Sequence, residues 1–157
     1  LPKTPTFLQL HEPDGAAFAA EAAAGLLAPA AVVSPKFFYD RLGSRLFDAI
    51  TELAEYYPTR TEAAIFAVHG PAIAASVRSA IGEAATLIDL GAGNCEKAAR
   101  LFGLFEPARY VAVDISAEFL RHALGCLQRE HPAQEMLGVG LDFSAGLALP
   151  AGVVDGR

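Results

Sequence analysis

Thr86-Leu-Ile-Asp-Leu-Gly-Ala-Gly-Asn-Cys-Glu-Lys97 passes from a short run read as apolar, Leu87–Leu90, into a glycine-rich turn, and a helical pattern follows at once. That run is too short for a stable helix and is bounded by turn residues, so it reads as a buried parallel strand. Gly91 and Gly93 can take positive φ and allow a ligand close to the backbone. The free N–H groups of the helix start beyond them can donate to it. A strand–loop–helix junction of this kind holds a nucleotide-like ligand.

Downstream, the pattern alternates. Glu96–Phe105 reads as a helix with Ala98, Leu101, Phe102 and Phe105 inward, ended by Pro107. Tyr110-Val-Ala-Val-Asp114 is a second buried strand. Ser116 caps a helix to about Glu130, and Met136–Asp142 is a third, weaker strand. Strand–helix–strand–helix–strand at this spacing predicts right-handed crossovers and one parallel sheet. Upstream, the chain is helical. Residues 1–13 carry three prolines and read as an extended arm, and Asp14 caps a helix to about Leu27. Ser34-Pro35 opens a helix to Ile50 that Gly43 divides. Glu55–Arg60 is a turn, and Thr61-Glu62 starts a helix that Gly70-Pro71 breaks or kinks before it resumes to Ile81.

Composition narrows the function classes. The chain has 157 residues, 53% of them apolar, which is enough for one globular domain with a sizeable core. A net charge of −6 without a basic run argues against nucleic acid or an anionic membrane as partner. No apolar run approaches the ~20 residues of a spanning helix. Cys95 and Cys126 are too few for a disulfide framework and lack metal-ligand spacing, so reduced thiols in a cytoplasmic protein are expected, with no metal. Cys95, at a helix start, is either a reactive thiol or a buried inert one. The four histidines are scattered and suggest surface or helix-end roles.

A glycine loop after a first strand is common to many nucleotide folds. The dinucleotide fingerprint wants a third glycine where this chain has Glu96, which disfavours an NAD-binding domain. There is no Gly-Lys-Ser/Thr ending, which disfavours an ATPase loop. Asp114 ends the second strand about 20 residues beyond the glycines, where a carboxylate meets both ribose hydroxyls. Asp142 and Phe143 end the third strand, where an acid and a ring can hold the edge and face of an adenine. The alternative is that these acids only cap the turns that follow them.

These residues resemble the cofactor half of an S-adenosylmethionine-dependent methyltransferase. Phe37-Phe-Tyr-Asp-Arg-Leu-Gly-Ser-Arg-Leu-Phe-Asp48, Glu55-Tyr-Tyr-Pro-Thr-Arg-Thr-Glu62 and Leu90-Gly-Ala-Gly-Asn-Cys-Glu-Lys97 further resemble, in the same order, the histidine Nα-methyltransferases of ergothioneine biosynthesis. The resemblance implies a Rossmann-like class I methyltransferase fold with S-adenosylmethionine as cofactor and a small amino acid, histidine or a relative, as substrate. It implies that Gly91 and Lys97 contact the methionine portion, Asp114 the ribose, and Asp142 with Phe143 the adenine, with Gly93 also on the cofactor side. Tyr56 would face the substrate, with Tyr39 nearby. No catalytic residue is assigned. Asn94-Cys95 departs from the Thr-Ser usual in the family.

The expected organisation is a helical cap over residues 1–82, carrying the substrate-side tyrosines, and a partial α/β cofactor domain over 83–157. Its three parallel strands would lie in the order 3-2-1. The family fold continues with further strands and a substrate-binding insertion, whereas little follows Ser144. The sequence therefore reads as an N-terminal portion whose first strand keeps an open edge, and such an edge invites a second copy to pair. The competing reading is a non-catalytic dimerising α/β module.

Overall fold

The computed structural model describes residues 2–11, 14–144 and 146–154. Residues 1, 12 and 13 of the expected arm, and 155–157 at the far end, lie outside the described residues. Four strands form one parallel sheet in the order β1-β4-β3-β2: β1 (Thr6–Gln9), β2 (Thr86–Leu90), β3 (Arg109–Asp114) and β4 (Glu135–Gly140). The three strands expected from the sequence keep their 3-2-1 order. The fourth comes from the arm, which adds to the outer edge of the sheet with Thr6 opposite Leu137 and Gln9 opposite Gly140. The ring of Phe7 lies over Gly138, in space that a side chain there would fill, and the Arg121 guanidinium stacks 3.6 Å from the ring centroid.

Helices α4 (Glu96–Phe105) and α5 (Ala117–Glu130) cover one face of the sheet. Ala98, Phe102, Leu120, Leu124 and Leu127 meet Tyr110, Ala112 and Met136 there in the main core. On the opposite face Val111, Val113, Leu137 and Val139 pack around Val153 of the short α6 (Ala151–Val154). Burial on both faces is why β3 and β4 read as near-continuous apolar runs. β2 differs. It is an edge strand, with Ile88 36% and Leu90 44% exposed on the α6 face. The run Leu87–Leu90 is also not wholly apolar, because Asp89 is buried within it.

The helical first half contains α1 (Gly15–Leu26), α2 (Arg41–Thr51) and α3 (Pro58–Ile81). Asp14 caps α1 as expected, accepting from the N–H groups of Ala16 and Ala17. The second helix divides earlier than Gly43. A 3₁₀ turn over Pro35–Phe38 ends at Tyr39, and Asp40 then caps α2 by accepting from the Gly43 N–H at 2.7 Å. Gly43 is needed for closeness: a Cβ there would lie 1.7 Å from the Phe38 carbonyl oxygen.

α3 corrects two expectations. It starts at Pro58 rather than Thr61, with proline in the first turn, and it runs through Gly70-Pro71 without a break. Pro71 is exposed, as is Ala67 one turn earlier, so the carbonyl that proline leaves unpaired has access to water. The buried Gly70 and Ala74 let α3 approach α4, with Gly70 against Leu104. At 24 residues α3 is long and apolar enough, by length and composition, to cross a membrane, contrary to the sequence reading.

Candidate functional site

The turn after β2 is shaped by its glycines. Gly91 has φ +73° and Gly93 +54°, and the space a side chain would occupy at either is open. The N–H groups of Gly91 and Ala92 donate to the Val113 carbonyl at 2.8 and 3.1 Å, which ties the turn to β3. Asp114, at the end of β3, then secures it from the side. One carboxylate oxygen accepts from the Gly93 N–H at 2.9 Å and the other from the Ser116 N–H at 2.9 Å. Asp114 thus fixes both the glycine turn and the start of α5, and each of its oxygens keeps a second lone pair.

A cavity of about 430 Å³ opens above these strand ends, within the range of small-molecule sites. Gly91, Gly93, Asp114, Ile115 and Phe119 form its floor, and Leu141, Asp142, Phe143 and Ser144 form one wall. The helical half forms the other wall with Pro35, Lys36, Tyr39, Ser44, Phe47 and Asp48. The two halves are joined beside it by a hydrogen bond between the buried hydroxyls of Ser44 and Ser116 at 3.2 Å. Six residues singled out from the sequence therefore share this cavity: Gly91, Gly93, Asp114, Asp142, Phe143 and Tyr39.

Asp142 is held by the Ser144 hydroxyl at 2.6 Å and N–H at 2.9 Å, and Lys36 lies 3.5 Å away. The Ser144 hydroxyl, and then its N–H and the lysine charge, hold the carboxyl below the usual aspartate range. Lys36 also bonds Glu21 of α1 at 2.7 Å, and that hydrogen bond holds its ammonium above the usual lysine range. Lys36 thereby fastens the N-terminal helix to the cavity wall. Nothing in the sequence marks it beyond its position after Ser34-Pro35.

Tyr56 and Lys97 stand outside the lining. Tyr56 packs edge-on against Phe47 with ring centroids 5.7 Å apart, and Phe47 packs against Tyr39 at 6.0 Å. Phe47 is thus the middle ring of a trio that reaches the cavity through Tyr39 and Phe47. Lys97 points beneath the loop, 3.0 Å from Asp89, and lines a small second cavity with Thr59, Glu62 and Phe66. Asp89, 7% exposed, also accepts from the Tyr110 hydroxyl at 3.2 Å. Burial, Cys95 and Asp89 all push the Tyr110 phenol up. Asp89 is not visible as a site residue from sequence, because the residues around it are apolar.

Cys95 occupies the N-cap of α4 in a left-handed conformation, φ +62°, and is 1% exposed. Burial pushes its thiol up to about 12, so the inert alternative holds. Asn94 supplies the cap that Cys95 does not, accepting from the Glu96 N–H at 3.1 Å. The departure from Thr-Ser therefore leaves the loop intact.

The family model described as histidine-specific methyltransferase, SAM-dependent, matches residues 18–154. The chain belongs to this family. Among its relatives, the histidine N-alpha-methyltransferase of Mycolicibacterium smegmatis is 41% identical over 128 residues, which is 79% of this chain and 38% of that protein. The histidine N-alpha-methyltransferase of Mycobacterium tuberculosis is 39% identical over 123 residues, 75% of this chain and 37% of its own length. Ergothioneine biosynthesis protein 1 of Neurospora crassa is 37% identical over 90 residues, 55% of this chain and 10% of its own. The chain thus spans under two fifths of the length of each. The family matched is S-adenosylmethionine-dependent, and the cavity suits such a group. It offers an open glycine turn and carboxylates at two strand ends, with Phe143, Phe119, Ile115 and Leu141 as apolar surface.

Proposed function

We propose that this chain is the cofactor-binding portion of an S-adenosylmethionine-dependent N-methyltransferase acting on histidine or a related amino acid. The observation that carries this reading is the meeting of the glycine turn, Asp114 and Asp142-Phe143 with the Tyr39–Phe47 wall around one cavity. Bound there, S-adenosylmethionine would supply an electrophilic methyl group on a sulfonium. Asp114 would accept from the ribose hydroxyls, and Asp142 with Phe143 would hold the adenine edge and face. Gly91 and Gly93 would let the methionine portion lie against the turn. Lys97 would meet the carboxylate of that portion by leaving Asp89 or by bridging from it.

Methyl transfer to an amine is a displacement, so the protein's task is to align a neutral amine with the methyl group and exclude water. Residues 1–82 would serve the acceptor side through Tyr39 and Tyr56, with Phe47 between them, and residues 83–157 the cofactor side. Both cysteines are free, which suits a reducing, cytoplasmic setting. Competition binding tests the cofactor: S-adenosylhomocysteine should displace a labelled S-adenosylmethionine, and NAD should not. Displacement by NAD alone would overturn the reading in favour of a dinucleotide domain.

A second reading has its own observation. The open edge of β2, with Ile88 and Leu90 exposed, favours pairing with another copy. Edge pairing by itself is compatible with cofactor binding, since that edge lies outside the cavity lining; a non-catalytic dimerising module differs in leaving the cavity empty.

A further inference from the structure

Three carboxylates line the large cavity, and two are already engaged. Asp114 accepts from two main-chain N–H groups, and Asp142 is held by Ser144 and Lys36. The third is Asp48, on α2 beside Phe47. It is half-buried, and among the described residues its carboxylate has no hydrogen-bond or ion-pair partner. Its main-chain carbonyl accepts from the Thr51 hydroxyl at 2.7 Å. A carboxylate drawn partly out of water with no donor is costly, and a cation relieves that cost. Lys36, on the same wall, is taken by Glu21 and Asp142. Tyr39 and Phe47, also on this wall, add ring faces that attract cations. Burial raises the Asp48 carboxyl above its usual range, and the Glu96 charge raises it further. This corner of the cavity is therefore short of positive charge.

We propose that Asp48 is the counter-ion for the positive charge carried in this cavity, a sulfonium or an ammonium. The inference rests on the methyltransferase reading above. In such a transfer the carbon–sulfur bond breaks toward sulfur, which keeps the electron pair, while the amine lone pair forms the nitrogen–carbon bond. One positive charge is present throughout, and only its place changes. A single fixed carboxylate therefore serves either end of the transfer.

The test compares the wild-type chain with Asp48→Asn and Asp48→Glu by titration calorimetry. S-adenosylmethionine and its uncharged-sulfur product S-adenosylhomocysteine form one arm, and histidine added to the product-bound chain forms the other. Asp48→Asn should keep its affinity for the product within about twofold and lose about tenfold for one cation, as expected for a bond to a charged group. Loss for S-adenosylmethionine alone assigns Asp48 to the sulfonium, and loss for histidine alone assigns it to the amine. Asp48→Glu, which keeps the charge, should keep most of the discrimination. Unchanged behaviour in both arms overturns the proposal, as does an equal loss for product and S-adenosylmethionine, which marks a structural role. A wild-type chain that binds neither nucleoside overturns this inference together with the function it rests on.

Discussion

Asp114 joins two parts of the site, because its two oxygens hold the glycine turn and the start of α5 while facing the cavity. Asp114→Ala should weaken S-adenosylmethionine binding by about 1.5–3 kcal/mol, the range for a hydrogen bond to a charged group. Calorimetry reads this directly, and unchanged affinity would remove Asp114 from the ribose. Asp142 makes a pH prediction. Its folded carboxyl sits below the ordinary value of 3.8, so it stabilises the fold above that value, and this contribution is lost as pH falls through the lower folded one. Urea unfolding below about pH 4 should therefore show a shallower acid loss in Asp142→Asn than in wild type; identical acid limbs would contradict the assignment. Cys95 predicts selective chemistry: iodoacetamide should label the half-buried Cys126 in the folded chain and spare Cys95, with both labelled after denaturation. Labelling of Cys95 in the native state would count against its burial. Asp114, Asp142 and Phe143 were legible because ligand-facing residues of a parallel sheet stand at carboxyl ends of strands. Asp48 and Lys36 were not, because periodicity gives the face of a helix but not what that face meets.

At the scale of elements, the corner between the 3₁₀ turn and α2 brings Tyr39, Phe47 and Asp48 to the cavity, and Gly43 permits it. Gly43→Ala drives a methyl group into the Phe38 carbonyl, and main chain cannot rotate aside as a side chain can. The variant should lose about 1–3 kcal/mol of stability, the usual cost of overpacking, measured by denaturant unfolding. An unchanged midpoint would contradict the close approach. Gly43 was visible in the sequence as an interruption, but its reason was not. The glycine permits a contact with a neighbouring turn, and the helix divides four residues earlier. α4 and β3 were read nearly to the residue because burial fixes their pattern. β1 was invisible as a strand for the opposite reason. It is four residues long, mostly exposed, and paired with β4 at the far end of the sequence. α3 passes Pro71 without a break because a proline on an exposed helix face leaves its unpaired carbonyl to water rather than to a cost that ends the helix.

Across the whole molecule, a parallel sheet carries a cavity at its strand ends and an open strand, β2, at one side. The chain covers 38% of its Mycolicibacterium relative, and cofactor binding is a property this chain can be asked for by itself. The open edge predicts self-association: scattering-detected size exclusion should give a mass that rises with concentration, and Ile88→Lys should abolish the rise, since a charge on an edge strand discourages pairing. A monomer mass at every concentration would sink edge pairing and leave the cavity untouched. The cavity itself is tested most directly by thermal unfolding with S-adenosylmethionine. At about 100 times the dissociation constant, binding to the folded state adds about 2.7 kcal/mol, which for a chain of this size raises the midpoint by about 5–10 °C. The account predicts that rise for S-adenosylmethionine and a smaller one in Asp114→Ala; a folded chain whose midpoint does not move at millimolar ligand would contradict it.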